Sequence, residues 1–196
     1  MDVSPTAAED AAAAPFLERL RSLFREMDRA WDRAARTAGF VCDGCEDNCC
    51  RTRFFHHTRA EFRLLREGFR ALPPPERAAA LRRADAVVRM HGTGGRPMCP
   101  LNVDGRCRIY ASRPMICRLH GIPSAFRRPD GREVRGPGCE AYRVRVPERS
   151  AVFLDRTPFY RELARLEADL AGVLRPSGRM KMTVAEMVLA LGREDS

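Results

Sequence analysis

The stretch "CDGCEDNCC", Cys42 to Cys50, sets four thiols within nine residues and ends in an adjacent pair. Thiols at that density need a chemical reason. A chain of 196 residues is long enough to bury an apolar core, so cross-links are not required for folding. The opening "MDVSPTAAEDAAAAP" carries Asp2, Glu9 and Asp10 where a secretion signal would carry basic residues and an unbroken apolar run. No later window supplies the ~20 apolar residues of a membrane helix. A cytoplasmic setting is therefore the expectation, and there eight cysteines point to metal binding rather than to disulfides.

A C-x2-C turn lets two thiolates converge on one ion, and Asp43 and Gly44 suit such a turn. Cys49 follows at about one helical turn as a third ligand. Side chains of adjacent residues diverge in most backbone conformations, so Cys49 and Cys50 are expected to serve two metals, or two irons of one cluster. The remaining thiols are Cys99, Cys107 and Cys117, with Cys139 further on. Asp104-Gly105 signals a type I′ turn, predicting a hairpin of Leu101 to Val103 with Arg106 to Ile109. In that register Asn102 opposes Cys107, and a regular ladder would put Cys99 and Cys107 on opposite faces. Either Pro100 bends Cys99 back or the two thiols serve different sites. One zinc ion or one four-iron cluster takes four thiolates, so eight allow two sites, or one site and a reactive set.

Around these blocks the pattern is helical. Residues 1 to 14 lack an apolar face and are expected to be disordered. From Pro15, Phe16, Leu20, Leu23, Phe24, Met27 and Trp31 recur at helical spacing, with Gly39 as a stop. "RTRFFHH" reads as a short strand, and Thr58 with Glu61 as a capping box opening a helix that buries Phe62, Leu65 and Phe69. "PPP" at 73 to 75 ends it and starts another from about Glu76 to Gly92. Ser112 is the expected N-cap of a short helix carrying Met115, Ile116 and Cys117. A second Asp-Gly turn at 130 and 131 leads to Cys139 in a loop. Thr157-Pro158 and the Thr183…Glu186 box begin two C-terminal helices.

The formal net charge of +9 is carried almost wholly by scattered arginines, Lys181 being the only lysine. A nucleic-acid footprint gathers basic residues on one face with exposed aromatics, and neither is evident. "GTGGRP" lacks the Lys-Ser/Thr of a phosphate loop, and no paired-carboxylate or Ser-His-Asp arrangement stands out. Of six arginines flanking the thiols, Arg51, Arg53, Arg106 and Arg108 are read as facing solvent. Arg113 and Arg118 are set apart as candidate cofactor-binding residues that would favour thiolates, and for Arg113 the first expectation is structural, pairing with a backbone group or an acid to fix the short helix. His56, His57, His91 and His120 are weaker ligand candidates, with His120 nearest a cysteine. Tyr110 is expected in the core.

The ordered series C-x2-C-x3-C-C, then Cys99-Pro100-Leu101, Cys107 with Ile109 and Tyr110, Arg113-Pro114, Cys117-Arg118 and the trailing Cys139 resembles the YkgJ-like cysteine-cluster family. That family is described as a zinc- or iron-chelating domain, and the likeness covers roughly residues 40 to 140. A similar cluster occurs in flagellin lysine methylases, where it looks like an iron-sulfur site. This chain is expected to be too short for the rest of such an enzyme, and it has "LHGIP" where an aromatic-proline pair is frequent after Cys-Arg.

Taken together, these features predict a mainly α fold with a small irregular cysteine-rich core and one or two short β-hairpins. The expected organisation is a disordered segment over 1–14, a metal-binding domain with its leading helix over 15–145, and a helical annex over 146–196. The metal ligands would be Cys42, Cys45, Cys49, Cys50, Cys99, Cys107, Cys117 and Cys139, holding an iron-sulfur cluster with a redox or accessory role to a modification enzyme. The alternative is a structural-zinc protein that mediates protein or nucleic-acid contacts. An enzyme in its own right would need a cofactor pocket that the sequence does not display. The expected partner is a protein of unknown identity, with nucleic acid disfavoured and no membrane.

Overall fold

Thr6 opens the first helix: its hydroxyl accepts the Glu9 N–H (3.2 Å) while the Glu9 carboxylate accepts the Thr6 N–H (2.7 Å). The computed structural model describes residues 6–42, 49–176 and 178–194. From this box α1 runs Ala7–Ala38 and ends at Gly39 in the left-handed region. The expected disorder over 1–14 is thus corrected for Ala7 onward, while residues 1–5 lie outside the described residues. Alanine is the best helix former, Ala13 is fully buried, and Asp10 is gripped by Arg63 (2.6 Å) and Arg66 (2.8 Å). Those anchors carry the helix through Pro15, whose missing N–H normally ends one.

Helix α2, Arg59–Arg70, is the wall between two apolar clusters. Ala60 and Leu64 face a cluster built with α1 and with α6 (Thr157–Leu174), where Leu20, Phe24, Met27, Leu166 and Leu170 meet. Phe62, Leu65 and Phe69 face the other, shared with α3 (Pro74–Gly92) and α7 (Val184–Glu194). Burial on both sides explains why even Glu61, Arg63 and Arg66 are covered. The expected Thr58–Glu61 box does not form in its usual sense. Glu61 turns inward, and Glu167 of α6 caps α2 instead, accepting the N–H groups of Arg59 (2.8 Å) and Ala60 (3.0 Å). The Thr183–Glu186 box does form and starts α7.

The strands are short. β1 (Asn102–Val103) and β2 (Arg106–Cys107) pair in the expected register, Asn102 opposite Cys107, across a turn with positive φ at both Asp104 and Gly105. β3 (Ser124–Arg127) pairs antiparallel with β4 (Glu133–Gly136) and parallel with β5 (Leu154–Asp155). "RTRFFHH" contributes only one bridge, His56 with Met182. Ser112 closes a 3-10 turn, Tyr110–Ser112, and the N-cap of α4 (Met115–Arg118) is Pro114. Cys139 is the N-cap of α5 (Glu140–Arg145) rather than a loop residue. The mainly helical fold with two hairpins agrees with the fold class predicted from the sequence. Among the described residues no helix is long and apolar enough to cross a membrane.

Candidate metal centre

Pro100 settles the question of Cys99. The chain turns at 99–102, with the Asn102 N–H on the Cys99 carbonyl (3.0 Å), so the ladder stops before Cys99. Cys99 donates its N–H to the Cys50 carbonyl (2.7 Å), stitching the two cysteine blocks together through the backbone. Side chains follow: Cys49, Cys99 and Asn102 all hydrogen-bond to the Cys50 sulfur. Cys107 and Cys117 lie close enough to feel a charge on Cys50.

Four chain segments therefore bring Cys49, Cys50, Cys99, Cys107 and Cys117 together. All five line a cavity of about 960 Å³ that Cys42 and Cys139 also border. Cys45, with the Asp43-Gly44 turn, lies outside the described residues. Among the described residues no three Cys, His, Asp or Glu side chains converge at ligand distance on a single point.

The adjacent pair corrects the expected divergence: the Cys49 and Cys50 sulfurs are 4.0 Å apart. A tetrahedral zinc with Zn–S bonds of ~2.3 Å has sulfurs ~3.8 Å apart. Neighbouring cysteines here can share one ion. Protons are distributed unevenly. Hydrogen bonds from Cys49 and Cys99 push the Cys50 thiol well below its ordinary value, and the same bonds, with burial, push those two up. Burial raises Cys107 and Cys117 as well. A metal bound by these thiols would displace their protons. The donor set fits a thiolate-bound metal.

Arg118 is 4% exposed and fully occupied. It donates to the Arg113 carbonyl (3.0 Å) and the Ala111 carbonyl, pairs with Asp28 (2.6 Å) and stacks over Phe24. Its role is to hold backbone. Arg113 stacks 3.7 Å over Tyr110 and pairs more loosely with Asp28 (3.5 Å), and its Nε is buried with no hydrogen-bond partner. Its charge also favours ionised Cys49, Cys107 and Cys117. Arg113 acts on three of the thiols, and Arg118 on Cys107. The other four flanking arginines are exposed, Arg108 being paired bidentately with Glu76 at 2.8 Å.

Tyr110 is 60% exposed, correcting its expected core position, and Tyr142 is the buried tyrosine instead, its hydroxyl accepting the Val152 N–H (3.0 Å). His56 is buried, and its imidazole is lowered to about 4, first by burial and then by His57. His57 lies on the surface beside the Met180 carbonyl (3.3 Å). His120, edge-on to Phe54, and His91 both line the cavity. The Cys139 sulfur accepts the Tyr142 N–H (3.4 Å), which gives that thiol a capping duty.

Residues 41–132 match the model of the CxxCxxCC family, described as "Putative zinc- or iron-chelating domain". This stretch belongs to that family. It takes in the first seven cysteines and stops short of Cys139, the one whose sulfur caps a helix. No curated protein and no solved structure matches the chain. Two residues support the CxxCxxCC region in ways the sequence does not signal: Glu61 reads there as a helix cap and Asp28 does not stand out. Glu61 accepts the Met115 N–H (2.8 Å) at the start of α4, and Asp28 joins Arg113 to Arg118.

Proposed function

We propose that this protein binds metal through thiolates of its CxxCxxCC region, and that the centre is an iron-sulfur cluster with a redox or accessory role to a modification enzyme. The observation that carries the proposal is that Cys49, Cys50, Cys99, Cys107 and Cys117, from four segments, line one cavity. Five thiols exceed what one mononuclear ion takes, and thiol-rich sites with nearby cations suit iron-sulfur chemistry. Arg113 supports that chemistry by placing a positive charge beside sulfurs that become anionic on binding. Cys42 and Cys45 supply further thiolates, and Cys139 is reserved for its helix cap.

A second reading has its own support. The 4.0 Å separation of Cys49 and Cys50 suits one edge of a zinc tetrahedron, so a structural zinc that orders a protein- or nucleic-acid-contacting surface is the alternative. Anaerobic purification with a visible spectrum, iron and zinc analysis and acid-labile sulfide separates the two. A brown protein with stoichiometric iron and sulfide is the expected outcome. A colourless chain with one zinc after iron-replete anaerobic expression would favour the alternative, and a chain with neither metal would refute both.

A further inference from the structure

Helix α4 has only four residues, far below the length at which a helix holds itself. The direction in which Cys117 projects must therefore be imposed from outside. We infer that Asp28, on α1 and outside the CxxCxxCC region, is the positioning residue that fixes the Cys117 thiolate for the metal. The inference rests on the thiolate-metal reading above.

The geometry is a fork with unequal prongs. One oxygen of the Asp28 carboxylate accepts from Arg118 (2.6 Å) and the other, buried without a hydrogen-bond partner, lies 3.5 Å from Arg113, so a single acid sits between the residues four before and one after Cys117. Arg118 passes that grip to the backbone, donating to the carbonyls of Ala111 and Arg113 at the entry to α4. At 4% exposure, its guanidinium would be costly to bury without the carboxylate. Glu61 pins the Met115 N–H and lies near enough to Arg118 to feel its charge. Among the described residues, Asp28 is the acid paired with the arginines on both sides of the cysteine.

Removing the charge from Asp28 has two opposed consequences. Freed from their acid, Arg113 and Arg118 would attract thiolates more strongly and tighten the metal. Without the fork, α4 would lose its orientation and Cys117 would leave the ligand set. The inference is that orientation dominates, as it does for other residues that hold metal ligands in place, whose loss costs about 10- to 100-fold in affinity.

Cobalt(II) titration under argon of the full chain tests this, reading both affinity and the thiolate-to-metal charge-transfer absorption per bound cobalt. Asp28→Asn is expected to bind cobalt about tenfold or more weakly and to give a weaker thiolate band per bound cobalt. Asp28→Glu should restore most of it. A fall in melting temperature alone would leave intensity per bound cobalt unchanged, so the band separates positioning from general stability. Wild-type affinity and intensity in Asp28→Asn would overturn the inference. Should that variant fail to fold, Arg118→Lys keeps the charge and removes the planar fork: a weakened band supports the inference and an intact one overturns it. A wild-type chain with no thiolate band refutes the metal reading itself, a result distinct from failure of the Asp28 role.

Discussion

The two cysteine blocks are held in opposite ways. Between Cys99 and Cys117 a type I′ hairpin, a 3-10 turn and α4 place three thiols, and acids from two long helices secure the ends. Between Cys49 and Phe55 the described backbone belongs to no helix or strand. Its links to the rest of the fold include the Cys99 N–H on the Cys50 carbonyl, and the His56–Met182 bridge follows at once. The second block brings its thiols in a frame that protein packing builds unaided. The first depends more heavily on the sulfurs themselves, and so on whatever binds them.

Chelation gives the largest expected contrast. In hydrogen exchange, amides over residues 49–53 should speed up by about tenfold or more when metal is removed, because few backbone bonds protect them. Amides at 115–119, bonded to Pro114, Met115 and Glu61, should change little. Equal loosening of both blocks would erase the distinction between them.

Acid should act on the anchor of the first block. His56 is neutral in the fold, its value lowered to about 4 from an ordinary 6.5. The unfolded chain then binds more protons than the native one between these values. The stability from neutral His56 is complete above pH 6.5 and is lost as pH falls toward 4, amounting to about 3 kcal/mol. Denaturant titration of wild type and His56→Gln at pH 7 and pH 4 should show a smaller pH dependence in the variant. Identical slopes would remove His56 from the anchor.

For the second block, Glu61→Ala leaves the Met115 N–H without its acceptor and should cost about 2 kcal/mol by denaturant unfolding of the metal-loaded chain. Gly68→Ala is the mildest change. The added methyl would lie 2.7 Å from the Ser112 Cβ and Oγ, pressing α2 against the 3-10 turn that leads to α4, at a cost of about 1 kcal/mol. Neutral results at both positions would mean that the second block is not held from α2.

Legibility in the sequence divides along a similar line. Local chemistry was readable: Asp104-Gly105 specified the hairpin and its register, and Thr183 with Glu186 the start of α7, while the proline run announced α3 but the helix starts at Pro74, two residues before the expected Glu76. The gathering of distant thiols was suggested by ordered spacing, but the path of the chain through Pro100 needed the fold. Predictions failed where one side chain had two competing partners. Glu61 left its own helix cap for Met115 because α4 required an acceptor, and Glu167, more than 100 residues away, took over the vacant cap. Tyr110 read as core because aromatics usually are, yet it lies on the surface beneath the Arg113 guanidinium. Cys49 and Cys50 were expected to diverge because extended backbone separates neighbours; the chain turns at this point instead and their sulfurs come together.

X-ray absorption at the metal edge of the anaerobically purified chain tests the thiolate centre most directly. A first shell of sulfur alone, about four scatterers at ~2.3 Å, is the expected result, with a metal-metal vector if the centre is an iron-sulfur cluster. A shell dominated by nitrogen and oxygen would contradict a thiolate centre at Cys49, Cys50, Cys99, Cys107 and Cys117.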